Sequence, residues 1–292
     1  MLNVSIVLYN PNWSQVVALT QSLLRCDSVR KVYWVDNSPK ATEVLPIASA
    51  RVEYLFNNRN IGYGAAHNIA IRESIYDDVP FHLVVNTDIE ITDDTLPTLL
   101  AFIEEHAEVG MVMPKIVSPT GEVQYLCKLL PTPLDVFGRR FLPKSWMRKR
   151  NERYELRHTG YDKMMNVPYL SGCFMLLRTE AIKKARLFDE RFFMYPEDID
   201  LTRRIHRDYL TVYFPHTTVV HHHAKASYHS LKMLWIHAVN MCRYFNKWGW
   251  WCDKEREEMN RVVRLEVRGY RLEARYEKVL YRDIWLPDEC GR

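Results

Sequence analysis

Residues 81–90 read Phe81-His82-Leu83-Val84-Val85-Asn86-Thr87-Asp88-Ile89-Glu90, an apolar run that halts on Asn-Thr-Asp. A run with two adjacent valines suits a strand buried on both faces, as in a parallel sheet. Ligands of open α/β sheets bind beyond the carboxyl ends of such strands, where Asp88 would stand. A carboxylate there can hold a divalent ion against the phosphates of a nucleotide. It can equally open a turn or cap a helix starting near Thr92, and this stretch alone does not choose between them.

Working outward, the same rhythm repeats. Strands are expected at Val4–Tyr9, Lys31–Val35, Val52–Phe56 and Phe81–Val85, and helices at about Ser14–Arg25, Gly64–Ile75 and Thr92–His106. Ser14 and Thr92 suit N-caps, with Asp93 and Asp94 in the first turn of the latter helix. This β-α-β alternation predicts a mostly parallel central sheet flanked by helices. Beyond Gly110 the pattern changes. Strands are expected at Met111–Ile116, Glu122–Cys127, Val167–Leu177, Thr211–Phe214 and Thr218–Val220, and helices from Thr179 and over Asp198–His206. From Ser227 onward the chain reads as helical. Val262, Leu265, Gly269, Leu272, Tyr276 and Val279 form a weak heptad better suited to packing on the body than to a coiled coil. The domain reading is 1–226, with halves 1–110 and 111–226, followed by a helical C-terminal extension, 227–292.

The composition of the 292-residue chain, 47% hydrophobic and 26% charged, is that of a globular protein. No apolar stretch approaches the roughly 18 residues of a membrane span. The opening MLNVSIVLYNP reads as a first strand rather than a signal peptide. Six scattered cysteines without a C-x-x-C pair favour a reducing cytosol. Of the net charge of +4, Arg139–Lys163 alone carries +6, nine Lys/Arg against three Asp/Glu. Such a loop is either solvated or faces an anionic partner.

Three expected strands end in polar groups: Asp36-Asn37-Ser38, Asn57 to Gly64, and Asn86-Thr87-Asp88. In a parallel sheet these clusters share one edge, the default nucleotide site. Gly62 and Gly64 precede a helix whose N-terminal amides would face an anion. Glu197, Asp198 and Asp200 open another helix, where negative side chains favour the positive end and where a general base would equally serve. Ser171-Gly172-Cys173 interrupts an apolar strand, glycine permitting close approach of another group, with Cys173 a buried small residue. Trp235, Tyr244, Phe245, Trp248, Trp250 and Trp251, interleaved with Arg243 and Lys247, suit either core packing or a membrane surface. Four adjacent bulky positions around Trp248-Gly249-Trp250-Trp251 favour surface contact.

The stretches LNVSIVLYNP, VDNSP, NNRNIGYGAAHNIAI, VVNTDIEI, LSGCFMLLRTEA, LFDERFFMYPEDIDLTRRI and PHTTVVHHHAKAS occur in this order. Together they resemble the family 2 glycosyltransferases of bacterial surface-polysaccharide assembly, above all the rhamnosyltransferase-like members, over about residues 1–250. The resemblance implies a GT-A fold and a nucleoside-diphosphate sugar donor of dTDP or UDP type. By the same resemblance Asp36 would bond the pyrimidine base, and Asn60, Gly62, Gly64 and Asn86 would approach the donor. Asn86-Thr87-Asp88 stands where the family has its D-x-D, so Asp88 would be the direct ligand of Mg²⁺ or Mn²⁺. His221, at the end of a P-x(5)-H match from Pro215, would be the second ligand, with His222 and His223 as competitors. Asp198 would be the general base, with Ser171, Gly172, Glu197 and Asp200 on the acceptor side. Where the family has a glycine before LFDERFF, this chain has Arg186.

The expected reaction is inverting transfer of a sugar, first L-rhamnose from dTDP-rhamnose and next a UDP-hexose, to a polyprenyl-diphosphate-linked or growing glycan. The expected location is cytoplasmic, at the inner membrane face, with membrane contact and no nucleic-acid partner. A pyrophosphorylase would show a glycine-rich basic loop after its first strand, absent from Tyr9-Asn10-Pro11-Asn12-Trp13. A non-catalytic glycan- or membrane-binding protein would not need Asp88, Asp198 and His221 together.

Overall fold

The computed structural model describes residues 1–139, 142–222 and 231–267. The first half runs β1 (Leu2–Leu8), α1 (Trp13–Leu24), β2 (Val29–Asp36), β3 (Val52–Phe56), α2 (Tyr63–Tyr76), β4 (Phe81–Val85), β5 (Ile89–Glu90) and α3 (Thr95–Glu105). Then come β6 (Val109–Val117), β7 (Cys127–Lys128), α4 (Lys144–Tyr154), β8 (Met165–Asn166), β9 (Tyr169–Leu170), β10 (Phe174–Arg178) and α5 (Thr179–Lys184). The chain continues through α6 (Glu197–His206), β11 (Leu210–His221), α7 (Leu231–Trp248) and α8 (Lys254–Glu266).

The main sheet has the order β3-β2-β1-β4-β10-β6-β11-β5, with β8 beside β11. Strands β1, β2, β3, β4, β6 and β11 run one way, and β5, β8 and β10 run against them. The sheet is mostly parallel, as the buried valine runs require. All five residues of β4 are buried. Alternation along β2 sends Trp34 toward α1, where its indole N–H bonds Thr20, and Tyr33 and Val35 toward Ala66 and Ala70 of α2. Under α2 lies a buried polar chain. Ser5 Oγ meets His67 Nδ1 at 2.6 Å and His82 Nε2 at 2.8 Å, and His82 Nδ1 meets Ser74 Oγ at 2.7 Å.

Several expected elements fall differently. Asn12, not Ser14, caps α1 by accepting the Ser14 N–H. Thr92, Asp93 and Asp94 all precede α3. The strand expected over 167–177 breaks in two, because β9 pairs with β7 in a separate ribbon while β10 alone enters the main sheet between β4 and β6. Of the strand expected at 122–127, only Cys127 joins that ribbon, and Val123 makes an isolated bridge to Val117. The two strands expected at 211–220 are one, β11, whose register shifts between Phe214 and Thr218. Pro215, which has no N–H to give to the ladder, falls in that shift.

The basic segment is not a loop. It contains α4, and part of its charge is neutralised internally: Arg139 and Arg157 bond buried Glu155, and Arg150 bonds buried Asp135.

The aromatic stretch is mostly core. Tyr244 and Phe245 are fully buried with Leu130, Phe192, Ile199, Met241 and Met259. Gly249, at φ +103°, turns the chain after α7, so that Trp248 and Trp250 both fold back and Trp251 is left outside with Trp235. Trp250 stacks on Phe137, and Trp248 lies 4.1 Å from the Arg203 guanidinium. The surface expectation therefore holds for Trp235 and Trp251 alone. Val262 and Leu265 lie in α8; Gly269, Leu272, Tyr276, Val279 and the expected helix start at Ser227 are outside the described residues. No helix among the described residues is long and apolar enough to cross a membrane.

Arg186 closes α5. Its φ is +63°, its N–H bonds Lys183 O at 3.0 Å, and the Leu187 N–H bonds Ile182 O at 3.0 Å. This is the pair of bonds of a Schellman motif, whose left-handed residue is usually glycine. A left-handed L-residue costs about 1–2 kcal/mol, offset in part by the greater unfolded-state freedom of glycine. Since the Arg186 side chain is exposed, Arg186→Gly is expected to raise stability by up to about 1 kcal/mol, read as a thermal midpoint higher by about 2 °C.

The buried histidines set an acid limit. Burial holds His82 down at about 3 and His67 well below its usual value, so both stay neutral in the folded chain. The unfolded chain takes up these protons from about pH 6.5 downward, and the folded chain does not. Stability is therefore complete above pH 6.5 and is lost as pH falls toward 3, by about 1.4 kcal/mol per pH unit for each histidine. Urea unfolding between pH 7 and pH 4 measures this slope, which should lose one proton's worth in His82→Gln.

Candidate active site

The register brings the expected strand tips to one edge. Leu8 pairs with Asp36 and Asp36 with Phe56, while Val84 lies beside Ser5, so Asn86 leaves its strand near the same level. Asp36 is fully buried; Oδ1 accepts the Ser38 N–H at 2.8 Å and Oδ2 accepts the Tyr54 hydroxyl at 2.7 Å. Asn37, not singled out from the sequence, knits the tips together. Its Nδ2 donates to Gly62 O at 3.1 Å, and its Oδ1 accepts from Asn57 Nδ2 at 2.8 Å.

The glycines serve packing. Gly62, at φ +96°, lies so close to Phe193 that a Cβ would meet its carbonyl at 2.5 Å. Gly64 is inside α2, and its Cβ would meet the Phe188 Cβ at 2.8 Å. The Gly62 N–H is already given to Asn60 Oδ1 at 3.0 Å and the Tyr63 N–H to Phe193 O at 2.9 Å. Two of the amides at the start of α2 are thus spent on shaping the loop and fixing it to Phe193.

Asp88 and His221 meet. β11 pairs antiparallel with β5, His221 opposite Ile89, and the His222 N–H bonds Asp88 O at 2.9 Å. His221 Nε2 then lies 3.4 Å from Asp88 Oδ1. Gln124, invisible as a site residue from sequence, grips the same histidine twice: Oε1 faces His221 Nδ1 at 2.9 Å and Nε2 donates to His221 O at 2.8 Å. An Nδ1–H donated to Gln124 leaves the Nε2 lone pair toward Asp88, the tautomer of a metal ligand. One carboxylate, one imidazole and a neighbouring amide are a donor set that suits Mn²⁺ or Mg²⁺. Among the described residues no cluster of three or more His, Cys, Asp or Glu is arranged to hold a metal, so phosphate oxygens would have to complete such a site. His222 turns instead to Glu90, at 2.7 Å, and His223 is outside the described residues.

Asp198 opens α6. Oδ2 accepts the Gly172 N–H at 3.0 Å and Oδ1 accepts its neighbour Ile199 N–H at 2.8 Å. Burial raises its pKa, against the pull of those two donors and of Lys128. Lys128, on β7 opposite Tyr169, is itself lowered by burial. Glu197 is pushed well above the carboxylate range by burial and by the charge of Asp198, and its Oε2 has no hydrogen-bond partner among the described residues. Burial thus makes both carboxyls of this pair harder to ionise than free ones, Glu197 more so because Asp198 lies beside it. Cys173 is buried, its thiol pushed up to about 12, which fits a packing role.

Asp200 does not face an acceptor. It is 0% exposed, and its oxygens are taken by Arg204 at 2.8 Å, Lys247 at 2.6 Å and the Trp248 indole at 2.8 Å. The i, i+2 spacing, about 200° around the helix, places it on the far side of α6 from Asp198 and directs it to α7. A cleft of about 740 Å³ lined by Arg72, Arg186, Asp189, Arg204 and Lys247 opens there, away from the strand-edge groups.

Tyr63 joins the two halves of the site. Its hydroxyl lies 2.7 Å from Gly172 O and 2.9 Å from the Asn86 amide, and the Asn86 N–H bonds Cys173 O at 3.0 Å. Burial foremost, then Cys173, Glu197, Asp198 and Asp88, holds the phenol well above its ordinary value, so it keeps its proton.

A parallel sheet with an acidic edge, a carboxylate–imidazole pair and a carboxylate at a helix start define a nucleotide-sugar transferase fold. The chain belongs to glycosyl transferase family 2, whose profile matches residues 4–186. It is 29% identical over 248 residues to the N-acetylglucosaminyl-diphospho-decaprenol L-rhamnosyltransferase of Mycobacterium tuberculosis, covering 78% of each chain. Among solved structures it is similar to GalNAc-T7, crystallised with UDP, GalNAc and Mn²⁺, at 15% identity and TM-score 0.56 over 76% of this chain. It is also similar to the mannosyltransferase PcManGT of Pyrobaculum calidifontis, in complex with GDP-Man and Mn²⁺, at 16% identity and TM-score 0.52 over 78% of this chain. The chain spans 43% of the former and 58% of the latter. The fold is GT-A-like and the protein is a glycosyltransferase.

Gly172 sets the position of the carboxylate. A Cβ there would meet Asp198 Cβ at 3.2 Å and Tyr63 Cε1 at 3.6 Å. Gly172→Ala is expected to displace Asp198 and lower kcat/KM by about tenfold while leaving the thermal midpoint nearly unchanged, as steady-state kinetics and calorimetry would show.

Proposed function

We propose that the protein is an inverting glycosyltransferase that moves L-rhamnose from dTDP-rhamnose to a hydroxyl of a polyprenyl-diphosphate-linked glycan. The observation that carries this reading is the 3.4 Å approach of His221 Nε2 to Asp88 Oδ1, with Asp88 and Asp198 both close enough to act on Tyr63 and Cys173 between them. The choice of sugar and acceptor is supported by the name of the mycobacterial relative.

Asp198 takes the proton of the acceptor hydroxyl, and the oxygen's electron pair forms the new bond to the anomeric carbon. The bond from that carbon to the donor's diphosphate breaks on the opposite face, inverting configuration, and the nucleoside diphosphate leaves with the electron pair. Asp88 and His221 would hold Mg²⁺ or Mn²⁺, which neutralises the departing diphosphate. Asp36 and Asn60 border the base and ribose, and Ser171 with neutral Glu197 borders the acceptor. Residues 1–226 form the catalytic unit, and α7 and α8, within 227–292, extend it. The diphosphate-linked acceptor places the enzyme at the inner membrane face, with exposed Trp235 and Trp251 and the free cations of α4 as contacts.

The test is a panel of dTDP-rhamnose and UDP-hexoses with a diphosphate-linked acceptor, with and without Mn²⁺. Turnover should be greatest with dTDP-rhamnose, fall on chelation, and decline as pH drops through the Asp198 pKa, because the base must be ionised. Asp198→Asn should lower kcat by about a thousandfold in folded protein. Full activity of that variant would remove the mechanism, preferred turnover of a UDP-hexose would reassign the donor, and binding without turnover of any sugar would favour a glycan-binding module.

A further inference from the structure

Tyr63 makes two close polar contacts but has one proton. Its oxygen lies 2.7 Å from Gly172 O and 2.9 Å from the atom placed as Asn86 Oδ1, two groups that only accept. A peptide carbonyl only accepts, whereas a phenol donates once and accepts through its lone pairs. The proton therefore belongs to Gly172 O. The second contact is then a hydrogen bond only when the carboxamide turns its nitrogen toward Tyr63, since an amide oxygen there would face a lone pair. Side-chain amides are oriented by this kind of proton accounting, not by shape.

We propose that Tyr63 is a positioning residue: locked onto Gly172 O, its hydroxyl accepts the Asn86 amide N–H and so turns the Asn86 carbonyl oxygen to the opposite side, as the third protein ligand beside Asp88 and His221. This rests on the metal-dependent reading above. It also gives a physical reason for asparagine at the first position of N-x-D. An aspartate at 86 has no proton to give Tyr63, so one of the hydroxyl's two contacts would be lost. Asparagine supplies that proton, and its weaker oxygen is compensated by a preset direction.

The surroundings hold the arrangement still. The Asn86 backbone is tied to Cys173 O at 3.0 Å, and the Tyr63 ring packs edge-on against His67 with centroids 4.4 Å apart.

A carboxylate has two equivalent oxygens and needs no such orientation, which makes the idea testable. Mn²⁺ is titrated calorimetrically into the native protein, Tyr63→Phe, Asn86→Asp and the double variant, with thermal unfolding as the check of folding. Tyr63→Phe should weaken Mn²⁺ binding about tenfold when Asn86 is present, as loss of an orienting partner does, and by less than about twofold beside Asn86→Asp. Equal weakening in both backgrounds, or none with Asn86, overturns the inference while the metal-dependent reading stands. A native protein that binds no Mn²⁺ overturns both. Should Tyr63→Phe fail to fold, side-chain amide NMR of the native protein decides: one slowly exchanging Asn86 amide proton is expected, and two fast-exchanging ones overturn the assignment.

Discussion

Both backbone groups of Gly172 are held, its N–H by Asp198 and its carbonyl by Tyr63. The candidate site is built around that residue. Through Asp198 it fixes the start of α6, and through Tyr63 it reaches Asn86 and the tip of β4. The next residue, Cys173, takes the Asn86 N–H and leads into β10, the reversed strand wedged between β4 and β6. Glycine leaves Asp198 room, because a Cβ would come within 3.2 Å of the Asp198 Cβ while touching Tyr63 only at ordinary contact distance. Asp198 and the tip of β4 are thereby set relative to one another through bonds to the same short stretch of backbone.

A second constraint lies behind α6. Arg203, 1% exposed, makes a two-pronged pair with Asp253, at 2.6 and 2.7 Å, and reaches Glu255, while Trp248 covers its guanidinium. Asp200 is bonded to Lys247 and Trp248 of α7 on the same side. A buried charge survives only when paired and hydrogen-bonded, so α7 and α8 must seat on α6 for these groups to be satisfied. The acidic run at residues 197–200 is thus divided by helical periodicity. Asp198 is turned to the site, and Asp200 is turned to the helices that hold α6 in place.

Local chemistry made much of this readable. The valine runs, the polar strand tips and the alternation of helix and strand told the sheet's first half almost residue by residue, because a parallel strand is specified by its own burial. The P-x(5)-H match, read through the family resemblance, pointed to His221, and the pairing of β11 with β5 brings that histidine to Asp88. What escaped was non-local. Gln124 lies 97 positions from His221, and nothing in its neighbourhood marks it. Tyr63 reads as the first aromatic residue of a helix, and its reach to Gly172, 109 positions on, exists only in the folded chain. The break in the strand expected at 167–177 is of the same kind, imposed by Asp198 and β7 and not by the residues of the strand.

The aromatic stretch shows where composition misleads. Three tryptophans within four positions argued for exposure, and the glycine among them, at positive φ, turned two of the three inward. Arg186 is the converse case, a residue that violates the local preference while the helix-closing bonds of α5 hold it there. By itself, then, the amino-acid sequence determined most of the sheet and the polar edge formed by its strand tips, because periodicity and residue type are local properties. Only the tertiary structure decided which carboxylate of α6 meets Gly172 and which meets α7, and which histidine meets Asp88. Those depend on contacts between segments far apart in the chain, which no local pattern records.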